Sequence, residues 1–399
     1  MNRKVTKGYC LLILMLLMFS SCIEEIDLET ETSFESALVV EATITNELKQ
    51  HKLLVSRTYR LEENGPSNES DAIVTLKGDG INYSFFESEP GVYLSNIAFA
   101  AEPNVNYQLE ISTNDGRSYQ SSITTLTAAT AIDDLFFERG FNENEEEGVS
   151  VFVNAFDPSG NSRYYRYTYE ETYKIIAPKY SPLDLIADPA PPAFILVTKP
   201  EPQQICYNTE QSNTIIITNT NQFLEDRLTK FRVLFLNRNN AIISHRYSIL
   251  VNQYVQSREA HDFYNTLERL SSTESLLSQL QPGFLQGNIE SLSSNAEKVL
   301  GFFEVSSVDS KRIYFNYEDV FPGELLPPYF ISCSEFAPVE IKPGGTSPLL
   351  DALLQGNKYF KLNDDPHPIL EEGAFDLVPP ACGNCTVLGT LDPPDFWEE

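Results

Sequence analysis

Apolar and polar residues alternate with a period of two from residue 36 to about residue 126. In the first run, every second position is apolar: Leu38, Val40, Ala42 and Ile44. This period is typical of strands that bury one face, and about seven such runs follow one another. The separators Gly78-Asp79-Gly80 and Asn114-Asp115-Gly116 suit tight hairpin turns. The pattern predicts a mainly β chain that begins with an immunoglobulin- or transthyretin-like β-sandwich over residues 36–127.

Strand-like runs resume after a connector and predict a larger β-rich domain over residues 131–399. In the run 164–176, tyrosines alternate with polar residues, so one face carries an aromatic stripe: Tyr165, Tyr167 and Tyr169. Such a stripe can bind sugars or peptides, but packing against a second sheet is the preferred interpretation. The segment 178–202 contains seven prolines and predicts a long irregular excursion.

One helix stands out in this second region, near residues 257–271. Ser257 can accept a hydrogen bond from a free backbone N–H at the helix start, and Glu259 suits the positive end of the helix dipole. Apolar residues then recur at spacings of three and four: Ala260, Phe263, Tyr264, Leu267 and Leu270. We expect this face to pack against the sheet of the second domain.

The first 21 residues have the pattern of an export signal. Three basic residues precede an apolar run at 9–19, which is about half of the roughly 20 residues that a membrane-spanning helix needs. The small residues that end at Cys22 resemble the lipobox of bacterial lipoproteins. We predict a signal peptide over 1–21, lipid attachment at Cys22 and an acidic tether over 22–35. The alternative is a plain secretory signal in which Cys22 falls at the cleavage site.

Charge narrows the range of partners. The chain carries a formal net charge of −29 at pH 7, and loss of the signal peptide would make it more negative because that segment is basic. Phosphate backbones and anionic lipid surfaces repel such a chain. We therefore expect no nucleic-acid partner, and most of the acidic residues should form a solvated surface.

Four cysteines remain after the signal peptide and the lipid site: Cys206, Cys333, Cys382 and Cys385. An even number in an exported chain favours disulfides, and four cysteines allow three pairings. A disulfide from Cys333 to either Cys382 or Cys385 would fasten the proline-rich tail, and burial of Trp397 would add a second fastening. The alternative is a free tail in which an exposed Trp397 anchors a partner.

Sequence motifs for catalysis are absent. The chain has no Gly-x-Ser-x-Gly elbow, no phosphate loop and no His-Glu-x-x-His pair, and its four histidines stand far apart: His51, His245, His261 and His367. The neighbours Glu170 and Glu171 would point to opposite faces of a strand, so they should not share a site. We predict no catalytic residue and no cofactor.

Two short motifs could bind metal or carry redox chemistry. Cys382-Gly-Asn-Cys385 has the spacing of a zinc knuckle or a thiol-disulfide motif, but the prolines around it predict a loop. Disulfides are the better interpretation in an oxidising compartment. The stretch 157–161 (Asp-Pro-Ser-Gly-Asn) has part of a calcium-loop pattern and is better explained as a turn. We therefore predict no metal site.

Three stretches carry a family resemblance: residues 247–254 with Glu259-Ala260, Gln281-Pro282 and Gly287-Asn288-Ile289 after them; Cys382-x-x-Cys385 with Pro394-Asp395-Phe396-Trp397; and residues 169–176. Together they resemble the Bacteroidota outer-membrane lipoproteins of domain of unknown function 4249, over nearly the whole mature chain. In that family, an aromatic residue, usually Trp, follows the first mature cysteine, and another cysteine follows Gly-Asn-Ile. Here Tyr207 and Glu290-Ser291 stand at these places, which leaves the partner of Cys206 open.

The resemblance implies a surface-exposed protein with no assigned activity. Genes of the family often lie near those of TonB-dependent transporters, which implies an accessory binding subunit of such a β-barrel. The acidic residues directly after Cys22 also resemble the signal that sends lipoproteins to the outer face of the outer membrane. The alternative function is an extracytoplasmic carbohydrate- or peptide-processing enzyme with an unrecognised site. Ligand binding and co-purification with a transporter would discriminate the two.

Overall fold

Strands dominate the part of the chain that the structure describes. This computed structural model describes residues 36–59, 65–189, 192–271, 285, 287–294, 297–342, 344–364, 366 and 372–399. The predicted signal peptide, Cys22, the acidic tether, Gln281-Pro282 and His367 lie outside these residues. Strands account for 49% of the described residues and helices for 11%, which confirms the prediction of a mainly β protein.

Eight strands open the fold: β1 (Leu38–Thr45), β2 (Lys52–Arg57), β3 (Ser67–Asn68), β4 (Ile73–Gly78), β5 (Ile81–Glu89), β6 (Val92–Ser95), β7 (Tyr107–Ser112) and β8 (Ser118–Ser121). Each of the seven runs predicted from alternation is a strand, and β3 is additional. They pair in the order β1-β2-β6-β5-β4-β7-β8, with β3 beside β2. Their alternate apolar residues, such as Val40 and Leu109, are buried in one core.

The middle of the chain forms two sheets, a hairpin and the long helix. Its elements are β9 (Ile132–Phe141), β10 (Glu147–Asp157), β11 (Tyr164–Ile176), β12 (Leu183–Pro189), β13 (Pro192–Thr198), β14 (Ile205–Gln211), β15 (Ile216–Asn219), β16 (Asp226–Asn237), β17 (Arg246–Val255), α1 (Arg258–Ser271), β18 (Ile289–Ser291) and β19 (Val299–Asn316). One sheet has the order β14-β11-β17-β19, and the other has the order β16-β10-β9. Side chains from both sheets share one buried apolar core.

Strand β19 belongs to both halves of the described fold. Its first half pairs in parallel with β1, from Leu38↔Val299 onward, and its second half pairs antiparallel with β17. Strand β18 pairs with β8. The core around β1–β8 therefore also contains residues that the sequence assigns to the second domain: Ile289, Val299, Phe303 and Val305. The boundaries 36–127 and 131–399 stay a prediction.

The tyrosine stripe packs inside the molecule. Tyr165 and Tyr167 are fully buried in the core between the two sheets, and the ring of Tyr167 lies 5.2 Å from that of Phe231. Tyr165 donates its hydroxyl hydrogen to Asp226, and Tyr167 donates to Gln253. These hydroxyls are satisfied internally, so the packing interpretation is confirmed.

Helix α1 begins where the sequence predicts. The Ser257 hydroxyl accepts a hydrogen bond from the Ala260 N–H at 3.1 Å, as expected of a cap. Ala260 and Phe263 are buried, and the Phe263 ring lies 5.4 Å from Phe302 of β19. The apolar face of α1 thus packs on the sheet, which confirms the predicted helix.

A small third core follows β19. Its elements are α2 (Tyr317–Val320), β20 (Phe336–Pro338), α3 (Pro348–Leu354), β21 (Lys358–Leu362), β22 (Glu372–Val378) and α4 (Pro380–Gly383). Strands β20, β22 and β21 form one sheet. Leu349 of α3 and Leu377 of β22 are buried in this core together with Leu185 of β12.

The prediction of an irregular excursion over 178–202 is wrong, because β12 and β13 form a regular hairpin there. Its apolar side chains, including Leu185 and Phe194, pack into the third core. Pro189 and Pro192 form the last pair of the hairpin, where a missing N–H removes little of the ladder. The proline count is therefore compatible with two strands.

Candidate functional site

The C-terminal tail, residues 394–399, packs on the outer face of the β14-β11-β17-β19 sheet. The Trp397 ring lies edge-on to Tyr207 at 5.1 Å and to Tyr314 at 6.4 Å. The Arg312 guanidinium lies 3.5 Å from the centre of the Phe396 ring. Trp397 is partly buried by these contacts. The tail is therefore fastened, and the alternative of a free tail with an exposed tryptophan is wrong.

Glu399 places its carboxylate between hydrogen-bond donors of this sheet. The Lys174 ammonium lies 2.7 Å from one oxygen, and the Tyr207 hydroxyl donates to the other at 3.0 Å. The hydrogen bond from Lys174, with a further one from Tyr207, outweighs partial burial and lowers the pKa of Glu399 below its ordinary value. The carboxylate is charged at neutral pH.

Two cations line the cavity at this point, Lys174 on β11 and Arg246 on β17, each next to the paired residues Tyr173 and Tyr247. Like charges on neighbouring strands destabilise a sheet unless an anion lies close to them. The tail supplies that compensation, because the Glu399 carboxylate contacts Lys174 and the Glu398 carbonyl accepts a hydrogen bond from the Arg246 guanidinium. The sheet therefore has a carboxylate-binding position that the chain's own tail fills.

Two adjoining cavities open beside this position, and we call them together the tail groove. The first, of about 400 Å³, has mainly polar lining residues, including Lys174, His245, Arg246, Asn316 and Glu399. The second, of about 330 Å³, is mainly apolar and is lined by Ile176, Pro178, Leu326, Pro327, Tyr329 and Phe330 among others. Lys174 and His245 line both. Each volume is within the range of roughly 300–1,000 Å³ that ligand pockets have.

His245 is the titratable residue where the two cavities meet. A 3₁₀ turn at Ala241–Ile243, capped by Asn240, positions it directly before β17. Burial, and then the nearby Lys174 charge, lower the pKa of His245 below its ordinary value. The imidazole is therefore neutral at pH 7 and offers one donor and one acceptor.

Two disulfides hold the segment that forms the groove wall. Cys206 of β14 is joined to Cys385, and Cys333 is joined to Cys382. Nearby, the Tyr329 hydroxyl donates to the carbonyl of Ala381 at 2.9 Å. Each cysteine of the Cys-x-x-Cys motif thus has a distant partner, and neither is a free thiol.

The prediction that Cys382-x-x-Cys385 lies in a loop is wrong. Cys382 is on α4, and Cys385 begins a 3₁₀ turn. Pro380 starts α4, where the N–H that proline lacks would have no helical partner in any case. The flanking prolines therefore begin a helical turn at this place instead of preventing one.

The three described histidines have separate environments. His51 is fully buried, and its Nε2 lies 2.9 Å from the carbonyl oxygen of Phe99. His261 is buried on α1 with its ring 5.0 Å from that of Tyr164. His245 lines the tail groove. The structure does not bring these residues into one site.

The other polar motifs have structural roles. The Asp157 carboxylate accepts the backbone N–H groups of Ser159 and Asn161, as expected of the predicted turn. Glu170 pairs with Arg312 on the outer sheet face, whereas Glu171 accepts the hydroxyl hydrogen of Tyr247. The two glutamates point to opposite faces, as predicted.

The described residues contain neither a metal-binding cluster nor a membrane-spanning helix. Within the described ranges, no group of three or more His, Cys, Asp or Glu residues is placed to hold a metal ion. In the same part of the chain, no helix is both long and apolar enough to cross a bilayer.

Sequence reasoning missed the carboxylate-binding position. Its parts, Lys174, Tyr207 and Glu399, are far apart in the chain and have no shared motif. Only the pairing of β11 with β14 and the course of the tail bring them together. Lys174 does lie within 169–176, one of the stretches that carry the family resemblance.

These features define a disulfide-linked, mainly β protein with a ligand-sized groove. The chain belongs to the family described as Domain of unknown function (DUF4249), whose model matches residues 23–312. The match includes Lys174, His245 and Arg246, whereas the groove wall after residue 312 and the tail lie beyond it. No curated protein matches the chain. The resemblance to this family is confirmed, and the assignment to Bacteroidota lipoproteins stays a prediction.

Proposed function

We propose that this protein is a non-enzymatic binding protein, anchored by a lipid on Cys22 at the outer face of the outer membrane, and an accessory subunit of a TonB-dependent transporter. The tail groove carries the binding part of the proposal, because it combines a cationic position with an apolar wall at ligand-sized volume. The signal-peptide pattern and the family resemblance support the membrane and transporter parts.

The chemistry of the groove fits binding. Lys174 and Arg246 already make charge-assisted contacts to the tail, so they can hold an anionic group without any further reaction. His245 is neutral and can orient a polar atom by donating or accepting one hydrogen bond. A processing enzyme would in addition need a nucleophile or a water held by a general base.

Exposed apolar side chains support an association with another protein. Leu326, which lines the groove, is 54% exposed, and its chain neighbour Leu325 is 88% exposed. On the β12–β13 hairpin, Ile186 is 43% exposed and stands opposite Ile195, which is 46% exposed. Apolar side chains grouped on a surface commonly mark interaction sites.

Native purification of the full-length, tagged chain from membranes tests the accessory role. We expect an outer-membrane β-barrel to co-purify under mild detergent. Leu325→Asp should reduce this recovery, and the matched control Leu48→Asp should not, because Leu48 is 77% exposed but lies between β1 and β2. Absence of any barrel from the wild-type preparation would contradict the transporter part.

The anchor has its own test. Cys22→Ala should abolish acylation and release the protein from the membrane fraction, whereas Cys10→Ala, inside the predicted signal peptide, should leave acylation intact. Mass spectrometry of the mature N-terminus measures both outcomes. Acyl chains on the Cys22→Ala protein would show that the anchor is elsewhere.

A further inference from the structure

We infer that the tail groove binds small carboxylates that carry an apolar body, and that Glu399 occupies the carboxylate position until such a ligand displaces it. The inference rests on the proposed binding function and names its ligand class. It joins two observations, a donor set that already holds a carboxylate and an apolar cavity that adjoins it.

The donor set is built for an anion, but its present occupant is easily replaced. The Lys174 side chain is 17% exposed, whereas that of Glu399 is 62% exposed. The sheltered cation is thus fixed by the sheet, and the carboxylate reaches it from solvent. Ion pairs with one partner so exposed contribute little to stability, so an incoming carboxylate can exchange with Glu399 at small cost.

The adjoining cavity defines the rest of the ligand. Ile176 and Leu326 line both parts of the groove, and Tyr329 and Phe330 extend the apolar wall. A ligand bound through its carboxylate at Lys174 would place its next atoms against this wall. Cationic ligands are disfavoured by Lys174 and Arg246, and a fully polar anion would leave the apolar surface uncovered.

Because Glu399 is tethered to the sheet, it competes with a free ligand for Lys174 at a fixed effective concentration. The tail is fixed by the Cys206–Cys385 disulfide and by two backbone hydrogen bonds between Tyr207 and Thr390. A group on a short tether has an effective concentration on the order of millimolar. A ligand must overcome this competition, so removal of the Glu399 charge should tighten ligand binding.

The only tryptophan of the chain reports the exchange, because Trp397 is two residues from Glu399 and packs on Tyr207. We propose titrating the full oxidised chain with sodium octanoate and following tryptophan emission, with calorimetry in parallel. Octanoate should give a saturable change, and octan-1-ol, which lacks the charge, should bind at least tenfold more weakly. Within the series butyrate, hexanoate and octanoate, each added methylene should tighten binding by up to about fourfold.

Variants separate the ligand site from general effects on the fold. Lys174→Met should weaken octanoate binding roughly tenfold or more, since it removes a charge-assisted hydrogen bond. Glu399→Gln should tighten binding severalfold. Lys77→Met, at a 47% exposed lysine on β4, is the matched control and should bind as the wild type does. If Lys174→Met fails to fold, Leu326→Asp places a repelling carboxylate on the exposed apolar wall and should weaken binding instead.

The outcomes are distinct. No saturable signal with octanoate or with the dipeptide acid acetyl-leucyl-leucine overturns the inference, even if a transporter co-purifies. Equal affinity in the wild type and Lys174→Met overturns the carboxylate position, and unchanged or weaker binding in Glu399→Gln overturns the competition. Tighter binding of octanoate identifies fatty acids as the source of the carboxylate, and tighter binding of the dipeptide identifies peptide ends. Binding without co-purification would leave this inference standing and contradict only the transporter part.

Discussion

A buried ion pair links β11 to β19 across the intervening strand β17 of one sheet. Arg166 of β11 contacts Glu304 of β19, and their side chains are 12% and 3% exposed. The Glu304 carboxylate also accepts hydrogen bonds from Thr43 of β1 and from Gln256, each at 3.1 Å. Burial opposes the charge of Arg166, but the Glu304 charge close to it holds the pKa of Arg166 above its ordinary value. We expect this cluster of charged and polar side chains to dominate the stability of this part of the sheet.

Removal of either partner should be costly, because it leaves the other charge buried and uncompensated. Glu304→Leu and Arg166→Met should each lower the free energy of unfolding by about 3–5 kcal/mol. The double variant replaces both charges by apolar groups. It leaves the donors of Thr43, Gln256 and Ser306 without the carboxylate, at about 1–3 kcal/mol, and should be more stable than either single variant.

Urea denaturation of the oxidised chain at pH 7, followed by circular dichroism, measures these differences. Arg258→Met is the matched control. The side chains of Arg258 and its ion-pair partner Asp262 are 74% and 63% exposed. The variant should therefore lower the free energy of unfolding by no more than about 0.5 kcal/mol. This account of the ion pair would be refuted if each single variant lowered the free energy of unfolding by less than about 1 kcal/mol. It would also be refuted if the loss in the double variant equalled the sum of the two single losses.

Three further perturbations test the fold. Non-reducing peptide mapping should first verify the Cys333–Cys382 disulfide in the wild type. Serine at both positions then removes a crosslink between residues 49 apart in the chain and should lower the free energy of unfolding by about 4 kcal/mol. His51 is buried with its pKa lowered by that burial from 6.5 to about 4, so the unfolded chain takes up a proton first as the pH falls. Stability should decline between pH 6.5 and 4, and His51→Gln should remove that part of the decline in urea titrations. A Cβ on Gly301, at φ +112°, would lie 1.9 Å from a backbone oxygen of β1. Gly301→Ala should therefore lower the free energy of unfolding by about 2 kcal/mol more than Gly80→Ala does. Gly80 is the control because a Cβ added there meets nothing within 4 Å.

Local patterns predict the elements well where one face of an element is buried. The alternation in the run 164–176 predicts a strand, and β11 has the same bounds, because this alternation directly reflects burial against the second sheet. The sequence predicts a helix near 257–271, and α1 spans Arg258–Ser271, since the cap and the apolar spacing are both local properties.

Pairings between distant segments could not be predicted in the same way. The parallel pairing of β1 with β19 joins Leu38 to Val299. The sequence of neither strand identifies the other as its pairing partner. The four cysteines allowed three pairings, and the choice depends on where β14 and α4 meet in space. The hairpin at 183–198 differs from the prediction because its prolines lie at positions that the β12–β13 ladder tolerates.

The tail combines a fixed part and an exchangeable part, and the two are separable. Thr390 is held to Tyr207 of β14 by backbone hydrogen bonds of 2.8 and 2.9 Å, close to the Cys206–Cys385 disulfide. The segment after Thr390 is fastened through side chains and single hydrogen bonds to the sheet face. Because these contacts are partly exposed, Glu399 can leave Lys174 without disturbing either disulfide or any strand pairing. A ligand that replaces Glu399 therefore has to displace only the tethered tail residues. The free energy needed to open the groove is small compared with the stability of the fold.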